Sequence, residues 1–311
     1  MTFSKNDEYA ISEMAKLSSE DLIAQIKNIS LSSWERGLET ITLKSWLNNF
    51  TGEFLNNRLA EQNLALWLVL HFVYYTDRDI RSLSVNLWWK FIHSRMEEYE
   101  KNGFMSDKTM EEKYKYIVDN TVVQPLGNCA GSGTNVCYFF RQSNGLSKEM
   151  FDLKKVDDYR YLILVDDVTV SGRQAEENLA KYDYITDKEK YILTYISTTK
   201  AKSHIGSSAI LLSSIELDEK SKCFEQTSYV FSRHKNWINI AKKMCKHYGE
   251  KLDPRNPLGY RNGQFLFGFY YNIPNNALPI FWGNLNGWVP LFERFFSDCD
   301  KLEETNSEKF F

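Results

Sequence analysis

The sequence predicts an α/β fold organised around a parallel sheet, and three observations predict it. The first is a continuous apolar run, Leu162-Ile163-Leu164-Val165, that ends in two adjacent acids and a short hydroxyl- and glycine-bearing turn, Asp166-Asp167-Val168-Thr169-Val170-Ser171-Gly172. Runs of this kind are the mark of strands buried on both faces. The second is a pair of similar runs on either side, Thr121-Val122-Val123-Gln124-Pro125-Leu126 and Tyr191-Ile192-Leu193-Thr194-Tyr195-Ile196-Ser197, with Ala209-Ile210-Leu211-Leu212-Ser213 as a further strand. The third is that helix-like segments alternate with these runs, which argues for right-handed βαβ units.

Taken in order, residues 1–115 read as helical. Ser18-Ser19-Glu20-Asp21 is a helix entry ahead of Leu22, Ile23, Ile26 and Ile29 at helical spacing. Leu43, Trp46, Leu47, Phe50, Phe54 and Leu55 continue that spacing, as do Leu83, Leu87, Trp88, Phe91, Ile92, Met96 and Tyr99. The apolar run from Leu64 to Tyr75 is interrupted by His71 and too short to span a bilayer, so it reads as a buried helix. Trp67, Trp88 and Trp89 fit a packed core better than a base-stacking surface, because aromatic stripes at helical spacing ordinarily pack.

From residue 116 the style changes. After the 121–126 strand comes Gly127-Asn128-Cys129-Ala130-Gly131-Ser132-Gly133-Thr134-Asn135, then a periodic helical segment from Val136 to Arg141. Strand, glycine-rich turn and helix together make a candidate anion site. Residues 143–150 are a polar connection, and a helix over 173–182 follows the acidic strand. Lys200 and Lys202 follow the 191–197 strand, near the sheet edge where ligands bind.

The C-terminal part holds an amphipathic helix over 234–251 carrying Trp237, Ile240, Ala241, Met244 and Cys245. An aromatic-rich strand candidate spans 264–272, and Pro274-Asn275-Asn276-Ala277-Leu278-Pro279 is a constrained turn with side-chain donors to spare. Residues 305–311 read as a frayed tail.

The two acids focus the chemistry. Adjacent aspartates at the end of an apolar strand are costly without a partner. They emerge at the carboxyl edge of the sheet, where open α/β folds hold ligands. The turn beyond them carries backbone amides toward a helix N-terminus, which suits a phosphate. Acids that accept from sugar hydroxyls, beside a phosphate pocket, point to a phosphorylated sugar. The plainer reading is a buried strand followed by a helix capped by Ser171.

Other chemistry is excluded or unsupported. The net charge of -3 gives no reason to expect a strongly basic nucleic-acid surface. The five cysteines, Cys129, Cys137, Cys223, Cys245 and Cys299, form no CxxC pair and read as reduced thiols of a cytoplasmic protein. His71, His93, His204, His234 and His247 show no zinc spacing with them. There is no P-loop and no signal-peptide apolar region. The short basic cluster Arg233-His234-Lys235 beside Trp237 reads as a solvated face.

The stretch Val165-Asp166-Asp167-Val168-Thr169-Val170-Ser171-Gly172-Arg173 resembles the PRPP-binding motif of type I phosphoribosyltransferases. The resemblance implies that Asp166 and Asp167 hold the ribose hydroxyls and that Thr169, Val170, Ser171, Gly172 and Arg173 cradle the 5′-phosphate. It implies a pyrophosphate turn at Gly131, Ser132, Gly133 and Thr134, with Arg141 as charge partner. It further implies Mg²⁺ held mainly through the ligand, and a closing loop within 143–150. Val170 and Gln174 stand where the family often has threonines, and Val170 also fills the slot of the acid that serves as base in purine-using members. Classical purine salvage is therefore not implied.

The Pro-Asn-Asn…Leu-Pro-Ile-Phe-Trp stretch at 274–282, followed by Trp288-Val289-Pro290-Leu291-Phe292, is similar to a divergent bacterial group, PRTase-CE, associated with phage-defence loci that include retrons. That resemblance implies a defence effector, or a ligand-sensing or assembly module without chemistry, acting beside an ATPase, nuclease or reverse transcriptase and without a membrane. It also makes Asn275 and Asn276 site candidates, against the plainer reading of a turn that knits the C-terminal segment to the core. The expected organisation is a helical region over 1–115 and a phosphoribosyltransferase-like α/β domain over 116–311. Residues 216–311 form an aromatic-rich elaboration of that domain.

Overall fold

A computed structural model describes residues 3–127, 131–152, 159–182, 188–206 and 208–294. Within these, the chain divides into two compact units, one formed by 3–76 with 218–294 and the other by 77–217. The boundary expected at 115/116 is therefore corrected. The reason lies in where the apolar faces are buried.

The first unit begins with four helices, α1 (Lys5–Ala15), α2 (Ser19–Ser32), α3 (Thr40–Leu47) and α4 (Arg58–Leu70), followed by the short strand β1 (Val73–Tyr75). Three of the four helices start on a side chain that accepts from a first-turn amide: Ser4, Ser18 and Asn57. The apolar run 64–75 is thus not one helix. Helix α4 stops at Leu70, and the β-branched and aromatic Val73-Tyr74-Tyr75 continue as a strand.

The second unit opens with α5 (Asp77–Asn102) and α6 (Met110–Asp119). Helix α5 buries Ile80, Ser84, Leu87, Trp88, Phe91, Ile92, Arg95, Met96 and Tyr99, a single stripe at helical spacing. That stripe covers the sheet: the Phe91 ring meets Tyr161 and Tyr191 edge-on at 5.8 and 5.0 Å. Arg95, 3% exposed, pairs with Glu189 and lies over the Tyr191 ring at 4.8 Å. These contacts tie α5 to the sheet rather than to the preceding helices.

The sheet comprises β2 (Thr121–Pro125), β3 (Tyr161–Thr169), β4 (Glu189–Thr198) and β5 (Ile210–Leu217), all parallel and in the order β2-β3-β4-β5. Between them run α7 (Ser132–Asn144), α8 (Arg173–Leu179) and α9 (Thr199–Ile205). Ala175, Leu179, Ala201 and Ile205 of α8 and α9 pack with Leu162, Leu164, Ile192 and Leu211 on one face. On the other, Phe140 of α7 packs against Trp88 of α5. Helices leaving β2 and β3 thus cover opposite faces.

The chain then returns to the first unit through α10 (Ile238–Leu252), β6 (Phe267–Phe269) and α11 (Pro279–Trp282). Helix α10 starts four residues later than the sequence suggests, behind a 3-10 turn at Lys235–Trp237. The aromatic strand expected over 264–272 shrinks to three residues, paired in parallel with β1. The aromatic-rich segment is no elaboration of the sheet unit. It packs on the N-terminal helices, with the Trp46 indole N–H donating to the Ile280 carbonyl at 2.8 Å and stacking on Phe281 at 5.7 Å. Residues 305–311 lie outside the described residues.

Candidate active site

Strand β3 carries Asp166 and Asp167 to the carboxyl edge of the sheet, where they are 4% and 7% exposed. Asp166 Oδ1 accepts from Ser132 Oγ at 2.7 Å and from the Asp167 amide at 2.9 Å. Asp167 Oδ1 accepts from the Val168 amide at 2.8 Å. Among the described residues no cation pairs with either acid. Burial therefore pushes both carboxyls above the usual range, and for Asp166 the neighbouring Asp167 charge adds to the push. The same environment, with Asp166 close by, raises the Cys137 thiol of α7 to about 12.

Ser132 reaches Asp166 because α7 sits hard on the strand ends. Its N-cap is Gly131, and a Cβ added to Gly133 would lie 2.6 Å from the Leu126 carbonyl and 2.9 Å from that of Val165. Glycine at 133 is thus a requirement of close approach. The predicted pyrophosphate residues Gly131, Ser132, Gly133 and Thr134 form the cap and first turn of α7, next to the acids, while residues 128–130 lie outside the described residues. Arg141 does not join them. It is in the last turn of α7, about 13 Å along the axis from Ser132 at 1.5 Å per residue, so the expected charge partner is corrected.

The turn after the acids is held from behind. Thr198 Oγ1, at the end of β4, donates to the Val170 carbonyl at 2.6 Å and accepts from the Ala201 amide at 3.1 Å. Gly172 adopts φ 75°, and a Cβ there would lie 3.0 Å from the Ala201 carbonyl. Gly172, rather than Ser171, occupies the N-cap of α8, and Ser171 Oγ makes only a long contact of 3.4 Å with the Arg173 amide. Arg173 is exposed and pairs with Glu177 at 3.1 Å. Thr169 Oγ1 is buried with no hydrogen-bond partner, an uncompensated polar atom at the mouth of the turn.

Thr198 escaped the sequence reading. A threonine at a strand end, opening a helix, carried the signal for a cap but none for the carbonyl it braces. Lys202 pairs with Glu216 at 3.4 Å. Within residues 143–150, α7 closes at Asn144 and a 3-10 turn spans Lys148–Phe151. Asn275 and Asn276 belong to the other unit, where Asn276 Nδ2 donates to the Tyr260 carbonyl at 3.2 Å. A Cβ on Gly259 or Gly263 would lie 2.4 or 2.5 Å from the Asn276 carbonyl, so this turn knits its own segment together.

A parallel sheet with helices on both faces and a buried acid pair toward a strand's carboxyl end make an α/β architecture consistent with a phosphoribosyltransferase-like fold. The PRTase-CE family model matches residues 43–294, most of the chain, and the chain belongs to that family. No curated protein and no solved structure matches it. No described helix is long and apolar enough to cross a membrane.

Proposed function

We propose that this chain binds PRPP, or a related phosphoribosyl ligand, and transfers or releases its ribosyl group as an effector of a bacterial antiviral defence system. The observation that carries the reading is the buried acid pair. Two carboxyl groups with so few donors and, among the described residues, no cation need hydroxyl donors and positive charge from a ligand. A ribose supplies the hydroxyls. The turn over 169–173, with the orphaned Thr169 hydroxyl, takes the 5′-phosphate, and the first turn of α7 takes the pyrophosphate.

Mg²⁺ fits this donor set as a ligand-borne ion. Two carboxylates and no third ligating side chain form no cage of their own among the described residues, so the ion would rest on phosphate oxygens, ribose oxygens and retained waters. It supplies charge neutralisation of the pyrophosphate. Asp166 and Asp167 position the sugar and, once ionised, face the positive charge that develops on the ribose carbon as pyrophosphate leaves.

A second reading is favoured by Val170, which puts no acid where purine-using relatives keep a base. In it the chain is a PRPP- or nucleotide-sensing or assembly module beside an ATPase, nuclease or reverse transcriptase, in the cytoplasm. Calorimetry with PRPP and Mg²⁺, paired with a pyrophosphate-release assay, separates the two. Heat and release support the transferase, and heat without release supports the sensor. No heat at any Mg²⁺ concentration rejects the transferase and the PRPP sensor and supports a purely structural, assembly role. Replacing Asp166 and Asp167 together by Asn should abolish binding, turnover and any toxicity to the host cell.

A further inference from the structure

The contact between Ser132 and Asp166 bears on how the acid pair is aimed. Asp166 Oδ1 already receives two donors, the Ser132 hydroxyl at 2.7 Å and the Asp167 amide at 2.9 Å. A carboxylate oxygen has two lone pairs, so these contacts fill Oδ1 and fix the plane of the carboxyl group. Neither of these two donors reaches Oδ2. The amide donor belongs to the next residue of the same strand. Ser132 belongs to a different element, and its own position is set by the close seating of Gly133 on the ends of β2 and β3. The serine is therefore the group that transmits the placement of α7 to the acid.

We propose that Ser132 is a positioning residue for Asp166: its hydroxyl turns Oδ2 toward a sugar hydroxyl, so that the first turn of α7 governs the sugar shelf as well as any phosphate bound beside it. The proposal rests on the ribose-phosphate reading above and adds to it a coupling between the two halves of the site. A serine that only bound pyrophosphate would matter solely for ligands carrying one. A serine that aims Asp166 matters for the sugar itself.

Ribose 5-phosphate, which has no pyrophosphate, discriminates. Calorimetric titration of the full chain across a pH series should show Ser132→Ala binding ribose 5-phosphate about tenfold more weakly than wild type, the cost of one hydrogen bond to a charged group. Ser132→Thr, which keeps the hydroxyl, should stay within about threefold. The Ser132 bond favours the ionised carboxyl, so its loss should move Asp166 protonation to higher pH, read by NMR on ¹³C-carboxyl-labelled aspartate without ligand. Should Ser132→Ala fail to fold, Ser132→Cys, a weaker donor, serves for both measurements.

Unchanged ribose 5-phosphate affinity and an unchanged Asp166 titration, with PRPP binding weakened, would overturn the proposal and leave Ser132 a phosphate ligand. A wild type that ignores ribose 5-phosphate and PRPP alike would overturn the ribose-phosphate reading and the proposal that rests on it, even where the Asp166 titration still moves in Ser132→Ala. No binding and no movement would remove both.

Discussion

The two units each bury acid, and they treat it in opposite ways. In the helical unit, Glu61 of α4 is fully buried, yet its two oxygens accept from the amides of Gly52, Phe54 and Leu55 at 2.6 to 2.9 Å and from the Tyr248 hydroxyl at 2.6 Å. Four donors from two segments, the 52–55 loop and α10, make it a staple. In the sheet unit, Asp166 and Asp167 share one side-chain donor and two amides at nearly the same burial. Burial of a carboxyl group is thus no sign of a site by itself. The donor count around it separates Glu61, whose oxygens are well satisfied, from Asp166 and Asp167, which share fewer donors.

Substitutions break the comparison in a graded way. The largest loss should come from Glu61→Ala, which strands three amides and a buried phenol; about 3–5 kcal/mol is expected from chemical denaturation, the range for removing one member of a buried charged network. A loss below 1 kcal/mol would remove the contrast between the units. Gly133→Ala should cost about 2 kcal/mol, since the added methyl meets two carbonyl oxygens of the strand ends, and the same denaturation curves measure it.

The acid pair should behave in the opposite sense. Both carboxyls are held above the 3.8 of a free aspartate, so in the window above that value the folded chain keeps protons the unfolded chain has lost. Stability is then lost as pH rises through the folded titration, and the ligand-free protein carries that cost at neutral pH. Asp167→Asn should accordingly raise the melting temperature of the ligand-free protein at pH 7 by a few degrees, about 1 kcal/mol, and flatten the difference in melting temperature between pH 4 and pH 7. A destabilised variant with an unchanged pH slope would place Asp167 with Glu61 as a structural acid. The smallest effect belongs to the His204–Glu176 pair that joins α9 to α8 at 2.8 Å. Both side chains are well exposed, so His204→Ala should cost about 0.5 kcal/mol or less, and a double-mutant cycle with Glu176→Ala reads it.

Much of the sheet unit was legible in the chain because its signals are local. Apolar runs bounded by turns marked β2, β3, β4 and β5, although β3 runs two residues past the paired aspartates, to Thr169. The helical unit was misdivided because its assembly depends on residues far apart in sequence. Nothing near Trp46 indicates that its indole will bond the Ile280 carbonyl. Nothing near Val73 indicates that three residues there will pair with Phe267–Phe269. Arg141 shows the same limit on a smaller scale, since charge was readable but the end of the helix it occupies was not matched to the acids.

By itself, then, the amino-acid order determined the parallel α/β style, the acid pair and the family, because strand periodicity and a contiguous motif are encoded within a dozen residues. Only the tertiary structure decided which acids are satisfied, that Ser132 bonds Asp166 and Thr198 bonds the Val170 carbonyl, and that residues 3–76 and 218–294 share one unit. Those outcomes depend on which donors arrive through space, and the arrival is governed by packing between segments rather than by any one segment's own preferences.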